Sequence, residues 1–186
     1  MRIIAGELKG KKILLPKDKK TRPLRDMVRE SIFNLIEHSN KLNCVLKKSK
    51  VLDLFSGTGS FGLECISRNA KKVTFVEYHK DALKILMENI RNLDVKDKTN
   101  IIEIDVFNFF NLEKNFKEKF DFIFIDPPYK EEKIDLIIDN IKKKNILNKN
   151  GILIIHRHIK DRIDLNKSLN IIDQRNYGIS KIILGN

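Results

Sequence analysis

From residue 50 onward, short apolar runs alternate with amphipathic stretches of helical period, and no feature limits the possible folds of this chain more. The runs fall at 51–55, 72–77, 100–105, 120–125 and 151–155. Between them lie a stretch beginning near Ser60, one whose apolar stripe is Leu83, Leu86, Met87 and Ile90, and an isoleucine-rich one at 134–141. Strands separated by helices of this length form βαβ units and a mostly parallel sheet. The first, fourth and fifth runs are apolar on both faces and are expected at its centre. Further β-like runs lie near 169–172 and 179–184. The fold class is α/β.

A chain of 186 residues with 41% hydrophobic residues suits one domain with a real core. No stretch approaches the roughly 18 apolar residues of a membrane span. The start, Met1 to Glu7, lacks the apolar region of a signal peptide. Cys44 and Cys65 are too few for a disulfide framework or a four-cysteine zinc site. The expectation is a cytoplasmic protein with two reduced thiols, no membrane partner and no metal.

Charge divides the chain at about residue 49. Residues 1–50 hold 14 Lys and Arg against 5 Asp and Glu, or +9, while the rest hold 23 against 20, or +3. A basic head on a nearly neutral body points to a polyanion, nucleic acid first. An anionic membrane surface is the second candidate. Residues 1–49 are therefore expected as a polyanion-docking extension, RNA-docking once the family resemblance below is added, and residues 50–186 as the core. In the extension, β-prone runs around Gly6 and Gly10 predict a hairpin. A basic loop follows, and then a helix on which Val28, Ile32, Leu35 and Ile36 share one face, with Asp26 as its cap.

Ligands of an open parallel sheet bind beyond the carboxyl ends of its strands. Four runs end near an acid: Asp53, Glu77, Asp105 and Asp126. Each alone is compatible with a simple helix cap. Together they make an electronegative mouth. Gly57-Thr58-Gly59-Ser60-Phe61-Gly62 matches the dinucleotide pattern G-x-G-x-x-G, yet Asp53 just before it opposes a pyrophosphate. The same charge favours S-adenosylmethionine, a sulfonium and ammonium without phosphate. Phe55, Ser56, Gly57 and Gly59 are expected against this cofactor, with Glu77 and Tyr78 at the ribose and Asp105 and Val106 bracketing the adenine.

Asp126-Pro127-Pro128-Tyr129 follows the fourth run directly. Consecutive prolines remove two backbone donors and stiffen the turn. The Asp126 carboxylate and the Pro127 carbonyl are then free to accept from an exocyclic amine whose aromatic ring stacks on Tyr129. Acceptors that hold the amine hydrogens favour a pyramidal nitrogen, which frees a lone pair otherwise delocalised into the ring.

These residues resemble the class I S-adenosylmethionine-dependent methyltransferases that carry an (Asp/Asn)-Pro-Pro-(Tyr/Phe) motif. The N-terminal blocks, Met1 to Gly6, Lys9 to Ile13, Thr21-Arg22-Pro23 and Asp26 to Asn34, resemble the RsmD family in particular, as do Val51 to Glu64 and Phe124 to Tyr129. The resemblance implies a seven-stranded sheet of order 3-2-1-4-5-7-6 with its last strand antiparallel. It also implies methylation of N2 of one guanine in 16S rRNA within a small-subunit particle, by a monomer. Thr21-Arg22-Pro23 is then expected beside the active site. Lys9, Lys11, Lys12, Arg22, Arg25 and Arg29, with Lys19 and Lys20, are expected at phosphates.

The chain departs from the family at Leu24-Arg25, at Met27, and at His156-Arg157-His158, where the family commonly has Glu after the fifth strand. His156 and His158 share a strand face, which reads as a polar strand end rather than a metal pair. Rival readings keep the chemistry on N6 of adenine in DNA or RNA or on a protein glutamine amide. Others replace it with nicotinamide-dependent oxidoreduction or non-catalytic RNA binding. The double proline and the acid before the glycine loop have no place in the oxidoreductase.

Overall fold

Residues of alternating orientation along β4, Phe120–Ile125, show how this chain builds its layers. In a computed structural model that describes residues 1–16, 24–112, 118–161 and 163–186, Phe122 and Phe124 pack into one buried cluster, and Ile123 and Ile125 into another on the opposite face. Successive side chains of a strand point to opposite faces, so a central strand carries apolar residues on both. The other strands are β1 (Lys50–Leu54), β2 (Lys72–Glu77), β3 (Thr99–Glu103), β5 (Leu147–His158), β6 (Ile171–Tyr177) and β7 (Ser180–Gly185). They form one sheet in the order β3-β2-β1-β4-β5-β7-β6, the order the resemblance implied. The pairings among β1 to β5 are parallel, and β7 runs antiparallel to both β5 and β6.

The helices are α1 (Asp26–His38), α2 (Ser60–Ser67), α3 (Lys80–Leu93), α4 (Val106–Phe109) and α5 (Ile134–Lys143). Helices α1, α2 and α3 bury Phe33, Phe61 and Leu86 against one face, where Phe61 stacks between Phe33 and Phe124. Helices α4 and α5 bury Val106, Phe109 and Ile134, Ile137, Ile138 and Ile141 against the other. Period two carries Asp53 onto the same face as Val51, toward α2. Among the described residues no helix is long and apolar enough to cross a membrane.

The expected N-terminal hairpin shrinks to a single bridge between Arg2 and Lys12. Around that bridge Ile3 donates to the Lys11 carbonyl, Gly10 to that of Ile3 and Ile13 to that of Met1, while amides of the intervening turn are used elsewhere. Ile4 and Ala5 donate to the two carboxylate oxygens of Glu64 at 2.8 and 2.9 Å, and Glu7 and Leu8 donate to Ser67. The segment is thereby strapped to α2, and Ile3 and Ile13 enter the same core cluster as Val51. Gly6, at φ +80°, makes this approach possible, because a Cβ there would lie 1.9 Å from the Ser67 carbonyl oxygen.

Asp26 does not cap α1. Arg25 occupies the extended cap position, and Asp26 is the first helical residue, its carboxylate 3.0 Å from Arg29. Strand β6 runs later than the β-like stretch at 169–172, through polar residues such as Asp173 and Gln174. It is an edge strand with a solvated face, and pairing with β7 rather than apolar pattern sets its extent.

Candidate active site

A cavity of about 660 Å³ opens beyond the carboxyl ends of β1, β2, β4 and β5, within the range of small-molecule sites. The loop after β1 makes one wall. Phe55 turns the chain out of the strand at φ +60°, a left-handed conformation that costs a non-glycine residue about 1–3 kcal/mol. Gly57, also at positive φ, donates its amide to Glu77 Oε2 at 2.8 Å. Glu77 Oε1 accepts from the amides of Tyr78 and His79, both at 2.8 Å. Three backbone donors therefore fix this buried carboxylate against the cavity. Ser56 also lines the cavity, and its hydroxyl is buried with no hydrogen-bond partner among the described residues.

Asp105 lines the cavity while capping α4, accepting from the Phe107 amide at 2.9 Å. Val106 does not line it. As the first helical residue it turns into the core, and Phe107 supplies the apolar wall instead.

Two further expectations shift in the same way. Asp53 is buried behind the loop rather than in the wall, and its carboxylate accepts from the Gly62 amide at 3.0 Å, one of the unpaired donors of the first turn of α2. Burial pushes this carboxyl well above the usual carboxylate range, against the pull of the Gly62 amide, and the charges of Asp126 and Glu77 add to the rise. Gly59 also lies outside the wall. A Cβ there would meet Leu86 Cδ1 at 2.4 Å, so this glycine serves the closure of α2 on α3.

Asp126, Pro127, Pro128 and Tyr129 all line the cavity. Asp126 Oδ1 lies 2.8 Å from His156 Nδ1, and His156 Nε2 lies 2.9 Å from Ser180 Oγ. Tyr129 is half exposed, and its ring stands edge-on to His158 and His156 at centroid distances of 5.5 and 6.5 Å. The Arg157 guanidinium donates to the Glu131 carbonyl at 2.8 Å and to the Tyr129 carbonyl at 3.4 Å, and it pairs with Asp161. All three residues of the departure, which lie within β5 rather than after it, thus brace the proline turn. Among the described residues no group of three His, Cys, Asp or Glu could hold a metal ion.

His156, Ser180 and Ile179 line the cavity without having been anticipated, as do Thr58, Ser60, His79, Lys80, Asp81, Ala82, Glu131 and Leu24. His156 was within reach of sequence reasoning, since it lies near the end of β5 beside Asp126. Ile179 and Ser180 carry no such signal, because they start an antiparallel strand rather than end a parallel one. The cavity wall includes the acids Glu77, Asp81, Asp105, Asp126 and Glu131 against the cations Arg25 and Lys80.

Of the expected phosphate contacts, Lys9, Lys11 and Lys12 are exposed, and Arg25 stands exposed at the cavity rim. Arg22, with Thr21, Pro23, Lys19 and Lys20, lies outside the described residues. Arg29 is corrected. It is fully buried, donating to Met1 Sδ and the Arg2 carbonyl and pairing with Asp26 and Glu64, so no phosphate can reach it.

Comparisons with known proteins agree along the whole chain. A family model described as "Conserved hypothetical protein 95" matches residues 1–186. The chain is 32% identical over 166 residues to "Ribosomal RNA small subunit methyltransferase D" of Buchnera aphidicola subsp. Acyrthosiphon pisum, covering 89% of this chain and 82% of that one. It is 34% identical over 145 residues to the protein of the same name from Haemophilus influenzae, covering 75% and 72%. In fold it is similar to a solved structure described as a putative methyltransferase from Escherichia coli, with a TM-score of 0.83 at 22% identity over 100% of this chain and 96% of that one.

Proposed function

Because the chain belongs to the RsmD family, we propose that it transfers a methyl group from S-adenosylmethionine to the exocyclic N2 amine of one guanine in small-subunit ribosomal RNA. One observation carries the reading: the turn Asp126 to Tyr129 and the loop held by Glu77 face the same cavity.

The residues fit this donor. Its cationic sulfonium and ammonium suit a wall in which acids outnumber cations, whereas a dinucleotide pyrophosphate would be repelled there. Glu77, after three backbone hydrogen bonds, keeps acceptor capacity for a ribose hydroxyl. The unpartnered Ser56 hydroxyl and the Phe55 and Phe107 rings supply a polar and an apolar contact. Tyr78 lies beside Glu77 at the same wall, with Asp105 at the adenine end. Gly59, Val106 and Asp53 act behind that wall, as supports of its shape.

The donor, when bound, supplies an electrophilic methyl carbon on sulfur. The protein supplies position. Tyr129 offers a half-exposed ring on which a flipped-out base stacks, worth about 1–3 kcal/mol. Asp126 accepts an amine hydrogen and stabilises the positive charge that develops on the nitrogen. Orientation of this kind lowers the barrier without a strong base.

Residues 1–49 form the docking part in this reading. The exposed Lys9, Lys11, Lys12 and Arg25 contact phosphates, and Arg22 and its loop join them. The substrate is a protein-bearing small-subunit particle, and the chain acts as a monomer. The test is methylation of small ribosomal subunits from a strain lacking this protein, with the modified base identified by mass spectrometry. A single N2-methylguanine is expected. Methylation of adenine, or of no RNA base, would overturn the assignment.

A further inference from the structure

We propose that His156 is a positioning residue for methyl transfer: it orients the ionised Asp126 carboxylate toward the target amine, and its own protonation slows the reaction. This rests on the methyl-transfer reading above. An ionised carboxylate only accepts, so the 2.8 Å contact requires the proton on Nδ1. Nε2 then presents its lone pair to the buried Ser180, whose hydroxyl donates across 2.9 Å. Asp126 thereby fixes the tautomer, and the Ser180 hydroxyl satisfies the nitrogen left without a proton. Among the described residues His156 is the one hydrogen-bond partner of the Asp126 carboxylate, and the second carboxylate oxygen is left for the amine.

The same chain of hydrogen bonds tolerates a change of charge. If the ring is protonated, Nε2 becomes a donor and the Ser180 hydroxyl rotates to accept, so no buried group is stranded. An imidazolium beside Asp126 would oppose the positive charge that grows on the amine during transfer. The groups around the ring do not alter that sign. From β4 and its turn come Asp126 and the Tyr129 ring, and from β7 comes Ser180. On β5 itself, the neighbouring Arg157 is engaged by Asp161 and the Glu131 carbonyl, and His158 stands against Tyr129. Lys181, next to Ser180, donates to the Asp161 carbonyl.

The test pairs a spectroscopic readout with kinetics. In protein labelled with 15N-histidine, His156 should show the Nδ1–H tautomer when neutral, and Asp126→Asn should disturb it. An Nε2–H tautomer would overturn the proposal. Single-turnover transfer to small ribosomal subunits from cells lacking the activity should slow as pH falls in the wild-type protein. His156→Leu should lower kcat by about 10- to 100-fold with KM for the subunit unchanged, the effect of removing one charge-assisted hydrogen bond. His156→Asn keeps a donor near the Nδ1 position without titrating, and should recover part of that activity while removing the acid-side fall. Wild-type turnover in His156→Leu, or a persistent acid-side fall in His156→Asn, would sink the inference. Absence of transfer by the wild-type protein would instead sink the function on which it rests.

Discussion

Gly57, in the loop after β1, donates its amide to Glu77, the last residue of β2, across 2.8 Å. The glycine loop and the acid of the neighbouring strand are therefore one unit, and the loop's shape depends on a carboxylate 20 residues away. Such coupling means that changes at Glu77 act on both the fold and the cavity wall.

Glu77→Ala leaves the amides of Gly57, Tyr78 and His79 without their acceptor. Unfolding in urea should reveal a destabilisation of about 1–3 kcal/mol, the usual cost of stranding buried donors. Calorimetry should show S-adenosylmethionine bound at least about tenfold more weakly, equivalent to about 1.4 kcal/mol. NADH should give no heat with either protein. Unchanged donor affinity in the variant would remove Glu77 from the cofactor wall.

Asp126→Ala should spare donor binding and abolish most of the reaction. The carboxylate sits at the proline turn, whereas the proposed donor contacts belong to the loop after β1 and the ends of β2 and β3. A fall of about 10²–10³ in kcat is expected, the scale of removing one preorganised electrostatic partner. Full turnover in a methyl-transfer assay would refute its role.

Arg29 and Arg25, four residues apart, should separate cleanly. Arg29→Met abandons the buried Glu64 carboxylate on one side, and breaking a buried pair this way costs about 3–5 kcal/mol. The urea midpoint should fall markedly. If stability is unchanged, the guanidinium is not a structural tie.

Arg25→Glu should leave the urea midpoint in place and weaken RNA binding, because the side chain is exposed at the cavity rim. The slope of log affinity against log salt should drop by about one for each phosphate that the protein no longer neutralises. Adding Lys9→Glu and Lys12→Glu should flatten it further. A slope that does not move would show that RNA docks on another face.

Asp53 predicts the pH dependence of stability. Burial raises its carboxyl pKa in the folded state, so the native protein holds a proton that the unfolded chain releases. Its contribution is present below the ordinary carboxylate value of about 3.9 and is lost as pH rises through the folded value. Asp53→Asn, whose amide oxygen can still accept from Gly62, should therefore gain stability relative to wild type as pH rises. Urea unfolding at acid and neutral pH measures this, and a constant difference between the two proteins would contradict the raised value.

The central strands, the glycine turn and the proline turn were legible because each rests on local chemistry, whereas the strand order came from the family resemblance. Apolar runs such as 120–125 can only be central strands, and the loop and turn residues follow those strands directly. The cavity wall was legible to the same depth. Phe55, Ser56, Gly57, Glu77, Tyr78, Asp105 and Asp126 to Tyr129 line it as their positions at strand ends suggest.

The missed features all depend on segments distant in the chain. The hairpin stays short because Glu64, some 60 residues on, captures the amides of Ile4 and Ala5. Arg29 reads as a surface cation, since nothing nearby in sequence reveals that Glu64 and Met1 will close over it. Ser180 joins His156 only because β7 returns antiparallel beside β5.

By itself, then, the amino-acid order determined the sheet, its ligand-binding edge and the acids and prolines placed there, through hydrophobic period and backbone restriction, which act over a few residues. Which charges are buried as ties, which stay exposed, and which histidine holds Asp126 were decided only by tertiary structure. Burial and hydrogen-bond pairing of a side chain depend on segments that meet through folding, and no local pattern encodes them.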